Sequence, residues 1–169
     1  DKLIGMLPGI ITAPGRLQHV ATCNNGASIY VDYAHTPNAL ENTLLSLKEE
    51  AKRKCCRLVV LFGCGGDRDK SKRPQMGKIA TSIADFSIIT SDNPRTESPQ
   101  KIIDDIVCGV VHGDGNHCYI TVENRCEAIQ YAVEMSMDND IVLVAGKGHE
   151  DYQIIGTKKL PFSDVDEVK

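Results

Sequence analysis

Short apolar runs alternate along this chain with stretches in which apolar residues recur every three or four positions. The first pattern is that of buried strands and the second that of amphipathic helices. Ser28 to Tyr33 is apolar and β-branched and runs out into Ala34-His35-Thr36-Pro37. Thr36 is placed to cap a helix whose first position is Pro37, where a missing N–H is harmless. Leu40, Leu44, Leu47 and Ala51 then fall on a single helical stripe. Arg57 to Gly63 is almost wholly apolar, as expected of a strand covered on both faces. Pro74 is expected to open the next helix, to about Ala84.

The alternation continues. A strand over 86–91 precedes Ser98 and Pro99, which are placed to cap and open a helix carrying Ile102, Ile103, Ile106 and Val110. Tyr119 to Val122 reads as a short strand, and Asn124 as the cap of a helix with Ala128, Ile129, Ala132 and Val133 inward. Asp140 to Gly146 holds the buried run Ile141 to Ala145. Tyr152 to Ile155 and Leu160 to Phe162, separated by Gly156 to Lys159, predict a small antiparallel hairpin. Ser163 and Asp166 have the spacing of a helix start. The expected fold is α/β: a Rossmann-like, mostly parallel sheet with helices on both faces and a hairpin near the C-terminus.

Four strand-end loops hold nearly all the unusual residues: Asp32 to His35, Gly63 to Pro74, Asp92 to Arg95, and Gly146 to Asp151. The right-handed crossover rule puts such loops on one edge of the sheet, so they are expected to converge. In Asp92-Asn93-Pro94-Arg95 a carboxylate, an amide and a guanidinium suit a small ligand bearing both amine and carboxylate. Arg95 carries most of this reading, because its planar fork can hold a carboxylate by two parallel hydrogen bonds. Asp, Asn and Pro are equally ordinary turn residues. His35 reads either as a nucleotide contact or as a turn histidine bonded to the backbone. Gly146 to Asp151 reads either as a turn or as a ligand loop in which Glu150 accepts from an ammonium.

Composition narrows the classes. The 169 residues suffice for one domain, with 41% hydrophobic and 25% charged residues, as in ordinary globular proteins. The net charge of −4 and the lack of a basic stripe give no case for nucleic acid. Seven cysteines, at 23, 55, 56, 64, 108, 118 and 126, include no C-x-x-C pair. They read as free thiols of a reducing compartment, the cytosol. No apolar run approaches the roughly 20 residues that cross a bilayer. Asp1 to Val20 lacks the pattern of a signal peptide, and the chain reads as an excerpt of a longer protein.

A nicotinamide-type site is disfavoured. Gly63, Gly65 and Gly66 follow a strand, but Arg68 stands where the third glycine of G-x-G-x-x-G belongs, and a charged loop precedes the helix. No G-x-x-x-x-G-K-[ST] phosphate loop occurs. His112, His117 and Cys118, near Asp114, match no standard zinc spacing. No metal ligand is assigned.

Taken together, five motifs in order identify a relative. They are Pro14-Gly15-Arg16, Asp32 to Pro37, FGCGGDRDKSKRP from Phe62 to Pro74, Asp92 to Arg95, and GKGHEDYQ from Gly146 to Gln153. The chain resembles the C-terminal domain of the Mur ligases, in particular of members that add meso-diaminopimelate to UDP-N-acetylmuramoyl-L-alanyl-D-glutamate in peptidoglycan biosynthesis. The resemblance implies an interdomain linker ending at residues 1–14 and an amino-acid-binding domain over 15–169, slightly short at its C-terminus. It implies that Arg16 and Asp32 pair to close on ATP, with Asp32 near the ribose, and that His35 lies on the same nucleotide edge. It implies that Arg68 takes a carboxylate of the incoming amino acid, that Asp92, Asn93, Pro94 and Arg95 form its recognition motif, and that Gly146 and Glu150 bind its other end.

The same resemblance implies ATP and Mg²⁺ as cofactors, the Mg²⁺ held mainly by a central domain that this sequence lacks, as it lacks the UDP-sugar domain. No catalytic residue is assigned here; the domain positions its amino acid, and the isolated chain is expected not to turn over. A sibling ligase adding lysine or glutamate, and a non-catalytic module on the same fold, are the alternatives. Arg95 is the discriminator, because lysine-adding relatives generally lack it.

Overall fold

Two five-residue runs, β3 (Leu58–Phe62) and β6 (Ile141–Ala145), are buried along their whole length and lie side by side. Successive side chains of a strand face opposite ways, and here both faces meet a core. Leu58, Val60 and Phe62 join one apolar cluster, while Val59 and Leu61 join the other. The computed structural model describes residues 15–111 and 118–169. The expected linker and the histidines at 112 and 117 lie outside them.

The remaining strands are β1 (Gln18–Thr22), β2 (Ser28–Asp32), β4 (Phe86–Thr90) and β5 (Cys118–Val122). The sheet runs β1-β2-β6-β3-β4-β5, parallel throughout except for the antiparallel edge pair β1–β2. The edge strand β1 was not among the expected elements. Its residues are half-buried or exposed, and a bulge between His19 and Ala21 breaks its register, so no alternation marks it.

Helices α1 (Pro37–Lys54), α2 (Lys72–Ile83) and α3 (Pro99–Val107) cover one face through Leu40, Leu44, Met76, Ala80, Ile103 and Ile106. Helices α4 (Arg125–Glu134) and α5 (Asp164–Val168) cover the other through Ala128, Ile129, Ala132 and Val168. The α/β reading with helices on both faces is what forms. Chain order runs outward from β3 to β5, then returns through α4 to β6. A crevice therefore opens beyond the carboxyl ends of β3 and β6, where open sheets bind ligands.

Local signals act as expected at most boundaries. Thr36 caps α1 by accepting from the Ala39 N–H, and Leu40, Leu44, Leu47 and Ala51 are all buried. Asn124 caps α4 by accepting from Cys126 and Glu127, and Ser163 caps α5 by accepting from Asp166. Helix α2 departs from expectation: it starts at Lys72, so Pro74 is its third residue. N–H groups of a first turn have no intrahelical partner, so a proline anywhere there costs no hydrogen bond. Val110 is buried but lies beyond the end of α3, and Val133 is only partly buried. The hairpin forms as β7 (Tyr152–Ile155) and β8 (Lys158–Pro161), with a tighter turn than the spacing suggested.

A buried ion pair joins the last two helices. Arg125 donates through Nε and Nη2 to Asp164 at 2.8 and 2.7 Å, and both side chains are fully buried. The same guanidinium reaches the carbonyls of Ser91 and Ala145, tying α5 to the ends of β4 and β6. Removing one partner leaves a buried charge without compensation, which typically costs about 3–5 kcal/mol. Asp164→Ala is expected to lower the urea-unfolding free energy of this chain by that amount; a loss below about 1 kcal/mol, the range of exposed pairs, would deny the pair its structural role.

Candidate functional site

The four loops converge. A cleft of about 510 Å³ opens at the carboxyl edge of the sheet, lined from the first loop by Tyr33, His35 and Thr36 and from the second by Gly65, Arg68, Asp69 and Lys72. Asp92, Asn93, Arg95, Gly146, Glu150 and Tyr152 complete it. A larger hollow of about 830 Å³ lies at the opposite edge, around Arg57, Asp85 and Asp140. Two of its charge pairs are internal, Lys48 with Asp85 and Arg57 with Asp140. It also lies at the amino ends of the strands, so the smaller cleft is the candidate site.

The loop after β4 is held in an unusual shape. Arg95 adopts φ +53°, a left-handed conformation uncommon outside glycine. It persists because neighbours fix it from both sides: Arg95 N–H donates to the Ile154 carbonyl, and Gly156 N–H donates to the Arg95 carbonyl. The hairpin thus braces the loop, helped by Gln153, which donates to the Asp92 carbonyl at 2.7 Å. On the other side Gly66 N–H donates to the Asn93 carbonyl, and a Cβ on Gly66 would fall 1.9 Å from the Pro94 oxygen. Only glycine permits that approach.

Asn93 is buried and fully engaged. Its Oδ1 accepts from Lys147 Nζ at 3.0 Å and from Ile154 N–H at 2.9 Å, while Nδ2 donates to Glu150 Oε2 at 3.0 Å. Both groups facing Oδ1 are donors and the group facing Nδ2 is an acceptor, so the amide has one workable orientation. Arg95 donates from Nη1 to the carbonyls of Gly66 and Asn93. Among the described residues no protein acceptor holds its Nε or Nη2, which leaves one edge of the fork for a ligand. Arg68 is exposed and donates only to the Asp67 carbonyl. Pro94 faces away from the cleft, into a small hollow beside Gln153 and Ile155.

At the β2 end lie Arg16 and Asp32, which are not bonded to each other. Asp32 is buried, and its carboxylate accepts from the Leu17 and Ala34 N–H groups at 2.6 and 2.9 Å, with Thr43 Oγ1 at 3.5 Å. A short carboxylate between a strand and a turn caps the nearest backbone donors first. Arg16 is exposed and lies over the Tyr33 ring, 5.7 Å from its centroid. Tyr33 also meets the rings of His35 and His149 at 4.5 and 5.4 Å. His35 Nδ1 bonds the Tyr33 carbonyl at 2.9 Å, as a turn histidine does, yet its ring still lines the cleft.

Three buried charges that pattern reading passed over underlie the site: Arg73, Arg125 and Lys147. Lys147 sits between glycines at φ +118° and +56°, backbone conformations that glycine adopts readily. Arg73 grips Glu97 bidentately at 3.0 and 2.9 Å and reaches the Gly65 carbonyl, clamping the second loop onto the third. Cys64, beneath the cleft, is no nucleophile, since burial pushes its thiol up to about 12. Among the described residues no cluster of three or more His, Cys, Asp or Glu side chains could hold a metal ion. No helix there is long and apolar enough to cross a membrane.

A charged cleft of this volume at the switch point of an open α/β sheet is where such folds commonly bind small ligands. The family model described as Mur ligase, glutamate ligase domain, matches residues 15–148, and the chain belongs to that family. It is 49% identical over all 169 residues to a UDP-N-acetylmuramoyl-L-alanyl-D-glutamate–2,6-diaminopimelate ligase of Coxiella burnetii, covering 33% of that protein. It is 48% identical over 154 residues, 90% of the chain, to the ligase of the same name from Clostridium botulinum, covering 30% of it. A solved structure of such a ligase superposes with TM-score 0.84 at 43% identity, over 98% of this chain and 33% of the other. A folylpolyglutamate synthase/dihydrofolate synthase of Yersinia pestis shares the fold, with TM-score 0.61 at 17% identity over 82% of this chain and 29% of that one. The chain spans about a third of the length of the curated relatives it matches.

The Glu97 clamp makes the site acid-sensitive. Hydrogen bonds from Arg73 first, then from the Asp67 N–H and Lys70, lower the Glu97 carboxyl from 4.5 to about 2. A carboxyl depressed in the folded state stabilises above its unfolded pKa, and that contribution fades as pH falls through the folded one. The urea midpoint of Glu97→Gln is therefore expected to lie below wild type at pH 7, with the gap closing between pH 4.5 and about 2. A gap independent of pH would remove Glu97 from the clamp.

Proposed function

We propose that this chain is the amino-acid-binding domain of an ATP-dependent ligase that joins meso-diaminopimelate to UDP-N-acetylmuramoyl-L-alanyl-D-glutamate in peptidoglycan synthesis. The observation that carries the reading is the pairing, in one cleft, of a free guanidinium edge on Arg95 with a carboxylate on Glu150 anchored through Asn93. That arrangement suits a molecule with a carboxylate at one point and an ammonium at another. The names of the relatives that match the whole chain supply the substrate.

In such a ligase ATP activates the γ-carboxylate of the D-glutamyl residue as an acyl phosphate, which the amine of the incoming amino acid attacks. This chain's part is positioning. Arg95 and Arg68 receive carboxylates, Asp92 and Glu150 receive the ammonium, and Gly146 keeps the β6 loop open between them. Aligning reactants can lower a barrier by up to about 7–11 kcal/mol. The ring cluster of Tyr33, His35 and His149, with Arg16, offers a face for a nucleotide base, while Asp32 fixes the turn that carries it. The Mg²⁺ of such a ligase is assigned mainly to its central domain. Cys23, Cys55, Cys56, Cys64, Cys108 and Cys126 are free thiols, which suits a cytoplasmic enzyme.

Phosphate release by the full-length ligase carrying this chain, with ATP and UDP-N-acetylmuramoyl-dipeptide, is expected to require diaminopimelate and to proceed poorly with lysine. Lysine lacks the second carboxylate and leaves the guanidinium unpaired; sites built around a missing group can reject the analogue by roughly 10⁴-fold. Arg95→Ala is expected to raise the KM for diaminopimelate far more than that for ATP and to erase most of this discrimination. Preference for lysine in the wild type would refute the substrate, and release with neither amino acid would refute the ligase.

A further inference from the structure

We propose that Lys147 is the positioning residue of the amino-acid end of the cleft, orienting Asp92, Asn93 and Glu150 without touching the ligand. The inference rests on the ligase reading above. Lys147 is fully buried and does not line the cleft, yet four residues that do line it converge on its ammonium. Its Nζ donates to Asn93 Oδ1 at 3.0 Å and to the Tyr152 carbonyl at 2.7 Å. The carboxylates of Asp92 and Glu150 stand 3.3 and 3.5 Å away. The rings of Tyr152 and Phe162, at 5.7 and 6.0 Å, close the cage.

Two features make this more than a structural ion pair. Asp92 Oδ1 is buried and makes no hydrogen bond; the Lys147 ammonium is the cation nearest it, and the buried Arg125 guanidinium also acts on the same carboxylate. Without Lys147, Asp92 and Glu150 would face each other across Asn93 with no cation between them, and like-charged carboxylates resist sharing a site. Asn93 would also lose one of the two donors that hold its Oδ1, freeing the amide that steers Glu150. The ammonium thus holds two carboxylates aimed where an amine is to be received.

The test uses the full-length ligase and steady-state kinetics with diaminopimelate, lysine and ATP. Lys147→Met is expected to raise the KM for diaminopimelate by between about tenfold and a hundredfold. The KM for ATP should stay unchanged, and the preference for diaminopimelate over lysine should fall. A merely structural lysine would lower kcat or yield without moving that preference. If Lys147→Met does not fold, Lys147→Arg carries the test: a planar head cannot fill the same cage without displacing Asn93 or Glu150, so the KM for diaminopimelate rises there too. Wild-type inactivity toward diaminopimelate overturns the ligase reading and this inference together. A wild-type enzyme that uses diaminopimelate, with an unchanged KM in the variant that folds, overturns this inference alone.

Discussion

Carbonyl oxygens in the loops and hairpin beyond the sheet's carboxyl edge lack ladder partners and need donors, and this protein supplies several of them with buried cations. Arg73 reaches the Gly65 carbonyl, Arg125 those of Ser91 and Ala145, and Lys147 that of Tyr152. Each cation also holds a carboxylate: Glu97, Asp164 and Asp92 respectively. A buried charge is tolerable only when paired and hydrogen-bonded, so each of these groups restricts every loop it touches. The cleft keeps its shape because the groups beneath it have no equally good alternative arrangement.

The cleft is consequently uneven in stiffness. Asp92, Asn93 and Gly146 are buried and bonded to several elements, whereas Arg68 and Asp69 stand exposed on a loop anchored chiefly at its base. The bonded wall has the properties of a template, and the exposed rim those of a surface that adapts to what arrives. Recognition and access are thereby divided between different loops of one site.

Much of this was legible in the residues. The stripe of Leu40, Leu44, Leu47 and Ala51, the caps at Thr36 and Asn124, and the apolar runs of β3 and β6 announced their elements because local propensity and tertiary burial agree there. Convergence of the loops followed from handedness alone. What could not be read was the wiring. A lysine or arginine next to apolar residues is ordinarily solvated, so nothing in the pattern marked Lys147, Arg73 or Arg125 as interior. The edge strand β1 escaped because half-exposed residues and a bulge erase alternation. The backbone donors that hold the Asp32 carboxylate are likewise revealed by no spacing rule.

The hairpin gives the architecture a last consequence. It begins at Tyr152, beyond the stretch that the shared family model matches, and packs into neither sheet face, yet it dictates the backbone of the Asp92–Arg95 loop. An exchange of a few hairpin residues would therefore redraw the recognition surface while leaving both hydrophobic layers intact. Selectivity in this fold is detachable from stability, and new substrate preferences can evolve on an accessory ribbon without renegotiating the core.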